Sequence, residues 1–199
     1  MVEPPRTADH GAEIVYEAQP WIRVDRHRIT TPDGVERPHH AVRLNPVAIV
    51  TAIDRHGRAL LLHRHRWIVD KVGFESPGGI LEPGEKPSEC ARREMLEETG
   101  FEVDDLRLVA ELEPMPGLVE TPHHVFVAGV AVQRGLPTDH EEAAELMWIP
   151  LSDTSRLLTA GRVLGAGTAI GLMSAAALFG HRQRPDSPGQ ELVTPPQSH

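Results

Sequence analysis

The sequence contains little cysteine and few basic residues, and both shortages exclude classes of protein. Cys90 is the only cysteine among 199 residues, which excludes an internal disulfide framework and a zinc site built from cysteines. The chain has 20 Lys and Arg residues against 29 Asp and Glu residues, for a formal net charge of −9 with neutral histidine. Such an acidic chain lacks the broad positive surface that holds nucleic acid, so we expect no nucleic-acid partner.

The sequence also lacks a recognisable targeting segment, which favours a cytoplasmic location. Residues 1–5 contain neither the basic nor the apolar segment of a signal peptide. A long uncharged stretch covers residues 163–180, but small residues dominate it and its larger apolar side chains recur at helical intervals. That pattern predicts a packed amphipathic helix, and we expect no membrane segment. A single cysteine also suits a reducing compartment.

The chain has enough apolar sequence for one folded domain with short extensions. Apolar residues make up 40% and charged residues 25% of it, as in ordinary globular proteins. We interpret residues 1–45 as an N-terminal β-strand region, in which a loose arm over residues 1–13 precedes extended runs around a Pro-Asp-Gly turn at 32–34. Residues 46–180 form the main domain. Residues 181–199 have nothing to bury and are predicted to be disordered.

The main domain is predicted to begin with strands and then to continue into a helix. The apolar run at 47–53, a turn at 54–57 and a second apolar run at 59–62 predict a buried hairpin. A loop rich in proline and glycine follows. A helix is predicted from Pro87, which suits a first turn, to Gly100, which suits a C-terminal cap. Before the Gly/Ala-rich helix, further strands are predicted at 106–112, 125–132 and 146–150.

The predicted helix carries carboxylates at helical spacing. Glu94, Glu97 and Glu98 stand at i, i+3 and i+4, so their side chains share one face. Like charges repel one another there, and a divalent cation relieves the repulsion; carboxylate oxygens suit Mg²⁺ or Mn²⁺. The opposite face carries Cys90 and Met95 and can pack on a sheet. For an arbitrary helix, the alternative is a solvated acidic face without a metal.

A longer pattern around these carboxylates resembles the signature of the Nudix hydrolases. Gly79, then Glu85, then the run at 93–101 fill every fixed position of that 23-residue signature. So many constrained positions at fixed spacing are far more specific than a glycine-rich loop alone. The resemblance implies an α/β (α+β) fold, the α/β/α sandwich with a mixed β-sheet. It also implies an enzyme in which metal-assisted water cleaves a nucleoside diphosphate linked to another group.

The resemblance assigns metal ligands to four residues. Glu94 and Glu98 are implied as direct ligands, and Glu97 as a further ligand that also takes part in catalysis. The carbonyl of Gly78 resembles the backbone ligand that precedes the signature. With these oxygen ligands, the expected cofactor is Mg²⁺, or Mn²⁺ in its place.

Two further residues of the signature are implied to support the catalytic site. Glu85 and Arg93 resemble the pair that braces the loop against the helix, and either can help to position the attacking water. A pyrophosphate would be repelled by such an acidic site in the absence of metal. Two or more Mg²⁺ ions offset that charge, polarise the phosphorus centre and lower the pKa of a bound water.

Residues on both sides of the signature resemble the ADP-ribose pyrophosphatases within this family. Pro116 lies sixteen residues after Gly100, and Glu120 falls where that group has a general-base glutamate. A loop suits this role because it can close over the substrate. Glu75 matches the Glu-x-Pro-x-Gly segment that leads into the signature, and it is assigned to substrate binding. The alternative for Glu120 is a solvated loop residue.

Three more residues are implied as substrate contacts. Arg66 occupies the position of a basic residue that contacts phosphate in relatives, although its neighbours depart from the usual pattern and leave the substrate open. A surface role is the alternative. The N-terminal strands resemble a small domain that is exchanged across a homodimer, in which Trp21 would stack on a base and Arg43 would contact a phosphate. Core packing is the alternative for Trp21.

The resemblance favours one activity and leaves rivals open. The favoured reaction is Mg²⁺-dependent hydrolysis of ADP-ribose to AMP and ribose 5-phosphate by a homodimer. Within the family, the alternatives are a nucleoside diphosphate sugar, a dinucleotide, a nucleoside triphosphate or a coenzyme A derivative. A Nudix module that senses a ligand without cleaving it is a further alternative. The complete set of carboxylates in the signature argues against that alternative.

Overall fold

The structure, a computed structural model, describes residues 3–129, 131–138 and 144–179, and the tail predicted at 181–199 lies outside them. The α-helices are α1 (Pro87–Thr99), α2 (Thr154–Thr159) and α3 (Ala166–Phe179), with a 3₁₀ turn at Leu151–Asp153. The strands are β1 (Ala8–Ala18), β2 (Ile22–Thr30), β3 (Glu36–Arg43), β4 (Val47–Ile53), β5 (Arg58–Arg66), β6 (Lys71–Glu75), β7 (Gly78–Ile80), β8 (Phe101–Val103), β9 (Leu106–Leu112), β10 (Val119–Glu120), β11 (His123–Ala128), β12 (Ala131–Gln133) and β13 (Glu145–Pro150).

Two main sheets contain most of these strands. The first has the order β1-β2-β3-β10. The second follows the path β13-β5-β4-β11-β9, with β6 paired to β5 and β7 paired to β4. In this second sheet β4 and β11 are parallel, whereas β11 and β9 are antiparallel, as are β13 and β5. The mixed β-sheet expected from the sequence is therefore present.

Helices cover both faces of the mixed sheet, and strand β4 shows why. Its side chains alternate between the two faces, as they must in an extended strand. Val50 and Ala52 pack in one buried cluster with Met95 of α1, while Ile53 packs in another with Leu172 of α3. The prediction of an α/β/α sandwich is confirmed.

Helix α3 approaches β4 closely because small residues form its packing face. A Cβ atom at Gly167 would lie 2.5 Å from Ile49 Cδ1, and one at Gly171 would lie 2.2 Å from Thr51 Oγ1. Only glycine leaves room for this approach. The helix ends at Phe179, and within the described part of the chain no helix has the length and hydropathy needed to cross a bilayer. The Gly/Ala-rich segment is thus a packing helix, as predicted. The predicted amphipathic pattern of larger apolar side chains is wrong, because Met173 and Leu178 are about half exposed while small residues are buried.

Helix α1 begins and ends where the sequence predicts. Pro87 is its first residue, where a missing backbone N–H costs nothing. Gly100 follows the helix in the left-handed region, with φ of 74°, and its N–H donates to the Leu96 carbonyl oxygen. A Cβ atom at Gly100 would also lie 2.4 Å from the Gly135 carbonyl oxygen. Backbone conformation and close packing therefore both require glycine at this helix end.

The N-terminal strands form a larger sheet than predicted. Strand β1 begins at Ala8 and pairs with β2, so the loose arm predicted for residues 1–13 is wrong from Ala8 onward. Almost every side chain of β1 is exposed, and its sequence therefore lacks the apolar alternation that marks a half-buried strand. Strands β2 and β3 pair across the predicted turn at 32–34. Strand β10 joins the same sheet by pairing with β3.

The strand predicted at 125–132 is in fact two strands with different partners. Strand β11 ends at Ala128 within the mixed sheet. Strand β12 begins at Ala131 and pairs with β8, directly after helix α1. The apolar sequence continues across Gly129, so residue type alone does not mark the change of partner.

Candidate active site

Two consecutive glycines bring the backbone against the carboxylates of α1. A Cβ atom at Gly79 would lie 2.2 Å from Glu94 Oε1, so only glycine permits this contact. A Cβ atom at Gly78 would lie 2.4 Å from the Ala48 carbonyl oxygen. Both glycines belong to β7, which pairs with the start of β4 and also contacts α1. The sheet therefore fixes this backbone beside the helix.

Glu98 is the most deeply buried carboxylate of the site. Its side chain is 6% exposed. Its Oε1 accepts a hydrogen bond from Arg64 Nη1 at 3.0 Å, and its Oε2 accepts one from the Gly78 N–H at 2.8 Å. Burial raises the pKa of this carboxyl to about 7, although Arg64 and the Gly78 N–H act in the opposite direction. An additional cation would therefore favour the ionised form of Glu98.

Arg64 is a residue of the site that the sequence motifs did not mark. Its side chain is 4% exposed, and its Nε donates to Glu75 Oε2 at 2.7 Å while its Nη1 donates to Glu98. Arg66 donates from Nε to the same oxygen of Glu75 at 2.8 Å. Residues 64 and 66 share one face of β5, because side chains alternate along a strand. This alternation is the sequence signal that could have identified Arg64, because it places Arg64 on the same face as the predicted substrate contact Arg66.

Arg93 joins the loop before α1 to the helix itself. Its Nε and Nη2 donate to the two carboxylate oxygens of Glu85 at 2.9 and 3.0 Å, which is a bidentate ion pair. Its Nη1 donates to Glu94 at 2.8 Å and to Glu97 at 3.1 Å. The hydrogen bonds from Arg93 lower the pKa of Glu85, whereas burial raises the pKa of Glu94. This guanidinium thus compensates charge on three carboxylates.

The carboxylates of α1 do not all share one exposed face. Glu98 is buried, as is Met95 one turn earlier, whereas the side chain of Glu97 is 44% exposed and pairs with Arg93. Among the residues that the structure describes, no group of three or more His, Cys, Asp or Glu side chains is arranged to hold a metal ion. The ion pairs with Arg64 and Arg93 already engage these carboxylates.

The donor chemistry of the site nevertheless fits a hard divalent cation. Glu94 and Glu98 both extend from α1 to the segment Gly78–Gly79. Carboxylate and backbone carbonyl oxygens are the ligands that Mg²⁺ and Mn²⁺ prefer. Glu97 is on the same helix with its carboxylate partly exposed. These residues supply the expected kind of oxygen ligands, and Glu98 lies in surroundings where a cation is favourable.

The loop that carries Glu120 reaches the same end of the mixed sheet. At the start of β4, Val47 lies opposite Ile80 of β7, and its N–H donates to the Pro122 carbonyl oxygen at 2.8 Å on the other side. Because neighbouring strands are about 4.8 Å apart, β7 and the segment before β11 are about 10 Å apart across β4. The segment Gly78–Gly79 and the loop of Glu120 therefore flank the same strand end.

Glu120 contacts the N-terminal sheet through an ion pair. Strand β10 runs parallel to β3, so Glu120 lies in a short paired strand and the expectation of a loop position is wrong for this residue. The Glu120 carboxylate pairs with Arg43 Nη1. Arg43 Nε donates in turn to Asp25 Oδ2 at 2.6 Å. Asp25 is only 2% exposed, although no sequence motif marks it. The structure thus brings Arg43 and Glu120 together and adds a buried carboxylate behind them.

A cavity of about 690 Å³ lies between the N-terminal sheet and the loop of Glu120. His27, His39 and Arg43 of the sheet line it together with Glu120. This volume is in the range of small-molecule sites. Trp21 is not part of this lining and is 63% exposed, so core packing of Trp21 within the chain is wrong.

Comparison with known proteins agrees with this architecture. Residues 43–164 match the NUDIX domain. The chain is 37% identical over 180 residues to the CMP-5'-(N-acetyl-N-hydroxy-3-aminopropyl)phosphonate hydrolase of Streptomyces rubellomurinus, with 90% of this chain and 87% of that protein covered. It is 27% identical over 146 residues to the ADP-ribose pyrophosphatase of Bacillus subtilis, with 72% of this chain and 79% of that protein covered.

A solved structure has the same fold. The crystal structure of an ADP compounds hydrolase superposes with a TM-score of 0.77 at 20% sequence identity. The superposition covers 93% of this chain and 100% of the other. The matched domain extends over more than half of the chain and contains the whole signature from Gly79 to Phe101. This protein belongs to the Nudix family and is a hydrolase acting on pyrophosphate bonds.

Proposed function

We propose that this protein is a Mg²⁺- or Mn²⁺-dependent pyrophosphatase that cleaves a nucleoside diphosphate linked to another group. ADP-ribose is the first candidate substrate, with AMP and ribose 5-phosphate as products. The observation that carries the proposal is the convergence of Glu94 and Glu98 on the backbone of Gly78 and Gly79, within a complete Nudix signature. This is a site of oxygen ligands in which one carboxylate is buried.

The metal would be held by the oxygens of Glu94, Glu98 and the Gly78 carbonyl, with Glu97 as a further ligand. When bound, it supplies positive charge that offsets the pyrophosphate and lowers the pKa of a water molecule. The bidentate pair of Glu85 and Arg93 is proposed to keep the loop against the helix. Because Arg93 also donates to Glu94 and Glu97, it orients these two carboxylates.

The substrate contacts are assigned to residues outside α1. Arg66 is proposed to bind phosphate, and Glu75 orients its guanidinium by accepting from Nε. Arg43 is proposed to bind phosphate from the N-terminal sheet, whose neighbouring cavity has room for a small molecule. Trp21 has an exposed ring that is free to stack on a base.

Glu120 is proposed as the general base. It lies in the short strand β10, close to the end of β4 with which β7, the strand of Gly78 and Gly79, pairs. The carboxylate removes a proton from the water that attacks one phosphorus. The new P–O bond forms as the bridging P–O bond breaks, and the departing phosphate keeps the bridging oxygen. The products are two phosphate monoesters when both groups are phosphates.

A second candidate substrate is a cytidine nucleotide joined to a phosphonate. The relative from Streptomyces rubellomurinus, by its name a hydrolase of such a CMP-phosphonate compound, shares 37% identity over 90% of this chain. A P–O–P bridge between phosphate and phosphonate would be cleaved by the same attack of water. The products would then be CMP and a phosphonate. Other Nudix substrates, namely a sugar nucleotide, a dinucleotide, a nucleoside triphosphate or a coenzyme A derivative, remain rivals, as does a module that binds without cleaving.

The test is a substrate panel with purified protein and Mg²⁺, with products identified by ³¹P NMR. It includes ADP-ribose, a CMP-phosphonate conjugate and each rival class. We expect one compound to be cleaved with a kcat/KM at least tenfold above the others. The variant Glu98→Gln should lose at least 100-fold in kcat, whereas Glu102→Gln, an exposed glutamate paired with Arg134, should match the wild type. The proposal would be rejected if no compound were cleaved, or if Glu98→Gln cleaved its substrate at the wild-type rate.

The protein is further proposed to act in the cytoplasm as a homodimer that exchanges the region 1–45. The support is the exposed apolar surface of this region, which includes Ile14, Tyr16 and Trp21. Single exposed apolar residues are common, but several on one sheet suit a partner surface. Light scattering after gel filtration tests the mass: two chains are expected, and a monomer at micromolar concentration would reject the dimer. Neither nucleic acid nor membrane is proposed as a partner.

A further inference from the structure

Asp25 is a buried carboxylate that binds two arginines of the N-terminal sheet. Its Oδ2 accepts from Arg43 Nε at 2.6 Å and from Arg23 Nη2 at 2.9 Å. These hydrogen bonds hold the pKa of Asp25 below its usual range, and the one from Arg23 contributes more than the one from Arg43. Arg23 and Arg43 are direct partners across β2 and β3, which places all three side chains on one face of the sheet. Asp25 is therefore ionised and fixed in place.

This contact sets the direction of the Arg43 guanidinium. A guanidinium is planar, so fixing its Nε toward Asp25 leaves its other nitrogens directed away from that carboxylate. One of them, Nη1, pairs with Glu120, which lies directly opposite Arg43 in the neighbouring edge strand β10. Arg43 thus has an inner partner that is 2% exposed and an outer partner whose side chain is 57% exposed. The inner pair is held by burial, while the outer pair is open to exchange.

The outer pair lies at the wall of the cavity of about 690 Å³ described above. An anion that enters this cavity meets the basic side chains of Arg43, Arg37, His27 and His39 on the sheet. The cavity is also lined by the carboxylates of Asp9, Glu113 and Glu120, of which Asp9 pairs with His27 and Glu120 pairs with Arg43. Exposed ion pairs are weak, because water competes for both charges. A multiply charged phosphate can therefore replace the Glu120 carboxylate on this guanidinium.

We propose that Asp25 is a positioning residue for Arg43 and that Glu120 covers this anion-binding guanidinium until an anionic substrate displaces it. The displacement frees the Glu120 carboxylate when substrate is present. The inference rests on the proposed function, because the released Glu120 carboxylate is the general base proposed there. It adds a requirement: anion binding at Arg43 and pairing with Glu120 are mutually exclusive.

The competition can be measured without metal and without turnover, by calorimetric titration of ADP in EDTA. Loss of the competing carboxylate in Glu120→Gln should tighten ADP binding two- to fivefold, as expected for an exposed ion pair. Loss of the guanidinium in Arg43→Met should weaken binding at least tenfold. The double variant should bind no more tightly than Arg43→Met alone, because the competition requires both partners.

Matched controls come from another exposed pair, Glu102 with Arg134. The variants Glu102→Gln and Arg134→Met should bind ADP as the wild type does. Equal or weaker ADP binding by Glu120→Gln would overturn the inference, as would tighter binding that persists in the double variant. These results do not depend on turnover. If Glu120→Gln keeps its kcat with Mg²⁺ but binds ADP more tightly in EDTA, the assignment of Glu120 as general base is wrong. The competition between ADP and Glu120 for Arg43 is then still supported.

The positioning role has its own readout. Asp25→Asn keeps an acceptor oxygen but loses the charge that fixes Arg43, so ADP binding in EDTA should weaken at least threefold while KM rises more than kcat falls. The variants of Arg43 and Glu120 concern partly exposed side chains, and they test the competition even if Asp25→Asn does not fold. An unchanged ADP affinity in folded Asp25→Asn would overturn the positioning role.

Discussion

Arg64 donates to Glu98 at 3.0 Å and thereby joins a central strand of the mixed sheet to the acidic helix. Both side chains are buried, with 4% and 6% exposure. The second carboxylate at Arg64 belongs to Glu75, which also accepts from Arg66. The acidic helix is therefore bound to the sheet by charge as well as by apolar packing, and the candidate metal ligands are part of that connection.

Removing Arg64 should destabilise the protein strongly. The variant Arg64→Met leaves Glu98 buried without its guanidinium, and breaking a buried pair on one side costs about 3–5 kcal/mol. The free energy of unfolding, measured with urea in EDTA, should fall by about that amount. Arg107→Met removes an exposed pair with Asp105 and should cost less than about 1 kcal/mol. Equal losses for the two variants would contradict the structural role of Arg64.

The two adjacent glycines of β7 should respond differently to alanine. In Gly78→Ala the new Cβ would meet a backbone oxygen at 2.4 Å, so the sheet must shift, at a cost of about 1–3 kcal/mol. In Gly79→Ala it would meet the carboxylate of Glu94 at 2.2 Å, and that side chain can rotate away. Gly79→Ala should therefore keep its stability within about 1 kcal/mol and lose at least tenfold in kcat. Urea unfolding of both variants measures the loss of stability, and steady-state kinetics measures the loss of kcat. A larger loss of stability in Gly79→Ala than in Gly78→Ala would contradict the packing of these two glycines.

Cys90 should be unreactive in the folded protein. The thiol is buried under the loop, and burial raises its pKa to about 12. Because the thiolate is the nucleophile, alkylation by iodoacetamide at pH 8 should be at least 100-fold slower than in urea-unfolded protein. Mass spectrometry over time measures both rates. Rapid labelling of folded protein would show that the helix and the loop separate readily.

The charge of Asp25 should contribute to stability above acidic pH. Its pKa is lowered in the folded protein, so the contribution is complete above the unfolded value of about 3.9 and is lost as the pH falls through the lower folded value. The difference in unfolding free energy between wild type and Asp25→Asn should thus be constant from pH 6 to 8. It should shrink below about pH 4. A difference that does not change down to pH 3 would contradict ionisation of Asp25.

Local signals made α1 and the hairpin of β4 and β5 predictable from the sequence. Proline suits the first turn at Pro87 and glycine suits the left-handed position at Gly100, so both helix ends follow from residue type. The buried strands follow from continuous apolar runs. The signature predicts Glu94 and Glu98 on one helix beside the glycines, and the structure has this arrangement. The loop predicted for Gly78 and Gly79 is wrong, because both residues belong to strand β7 and pair with β4.

Contacts over long distances in sequence were not predictable in the same way. Arg64 meets Glu98 across 34 residues and Arg43 meets Asp25 across 18 residues, and no spacing rule connects such pairs. The sequence does not predict strand β1 from Ala8 to Glu13, because the strand has no buried face and hence no apolar alternation. Whether a carboxylate of α1 faces solvent or the core depends on how the helix is rotated about its own axis against the sheet. This rotation buries Glu98 and leaves Glu97 partly exposed.

Calorimetric titration with Mn²⁺ tests the central claim most directly. The wild-type protein should bind the cation in a saturable way, and binding should tighten when a non-hydrolysable ADP-ribose analogue is present. Glu98→Gln should weaken binding at least tenfold, whereas Glu102→Gln should not change it. If the wild type takes up no Mn²⁺ or Mg²⁺, even with the analogue present, the metal-dependent activity proposed here is wrong.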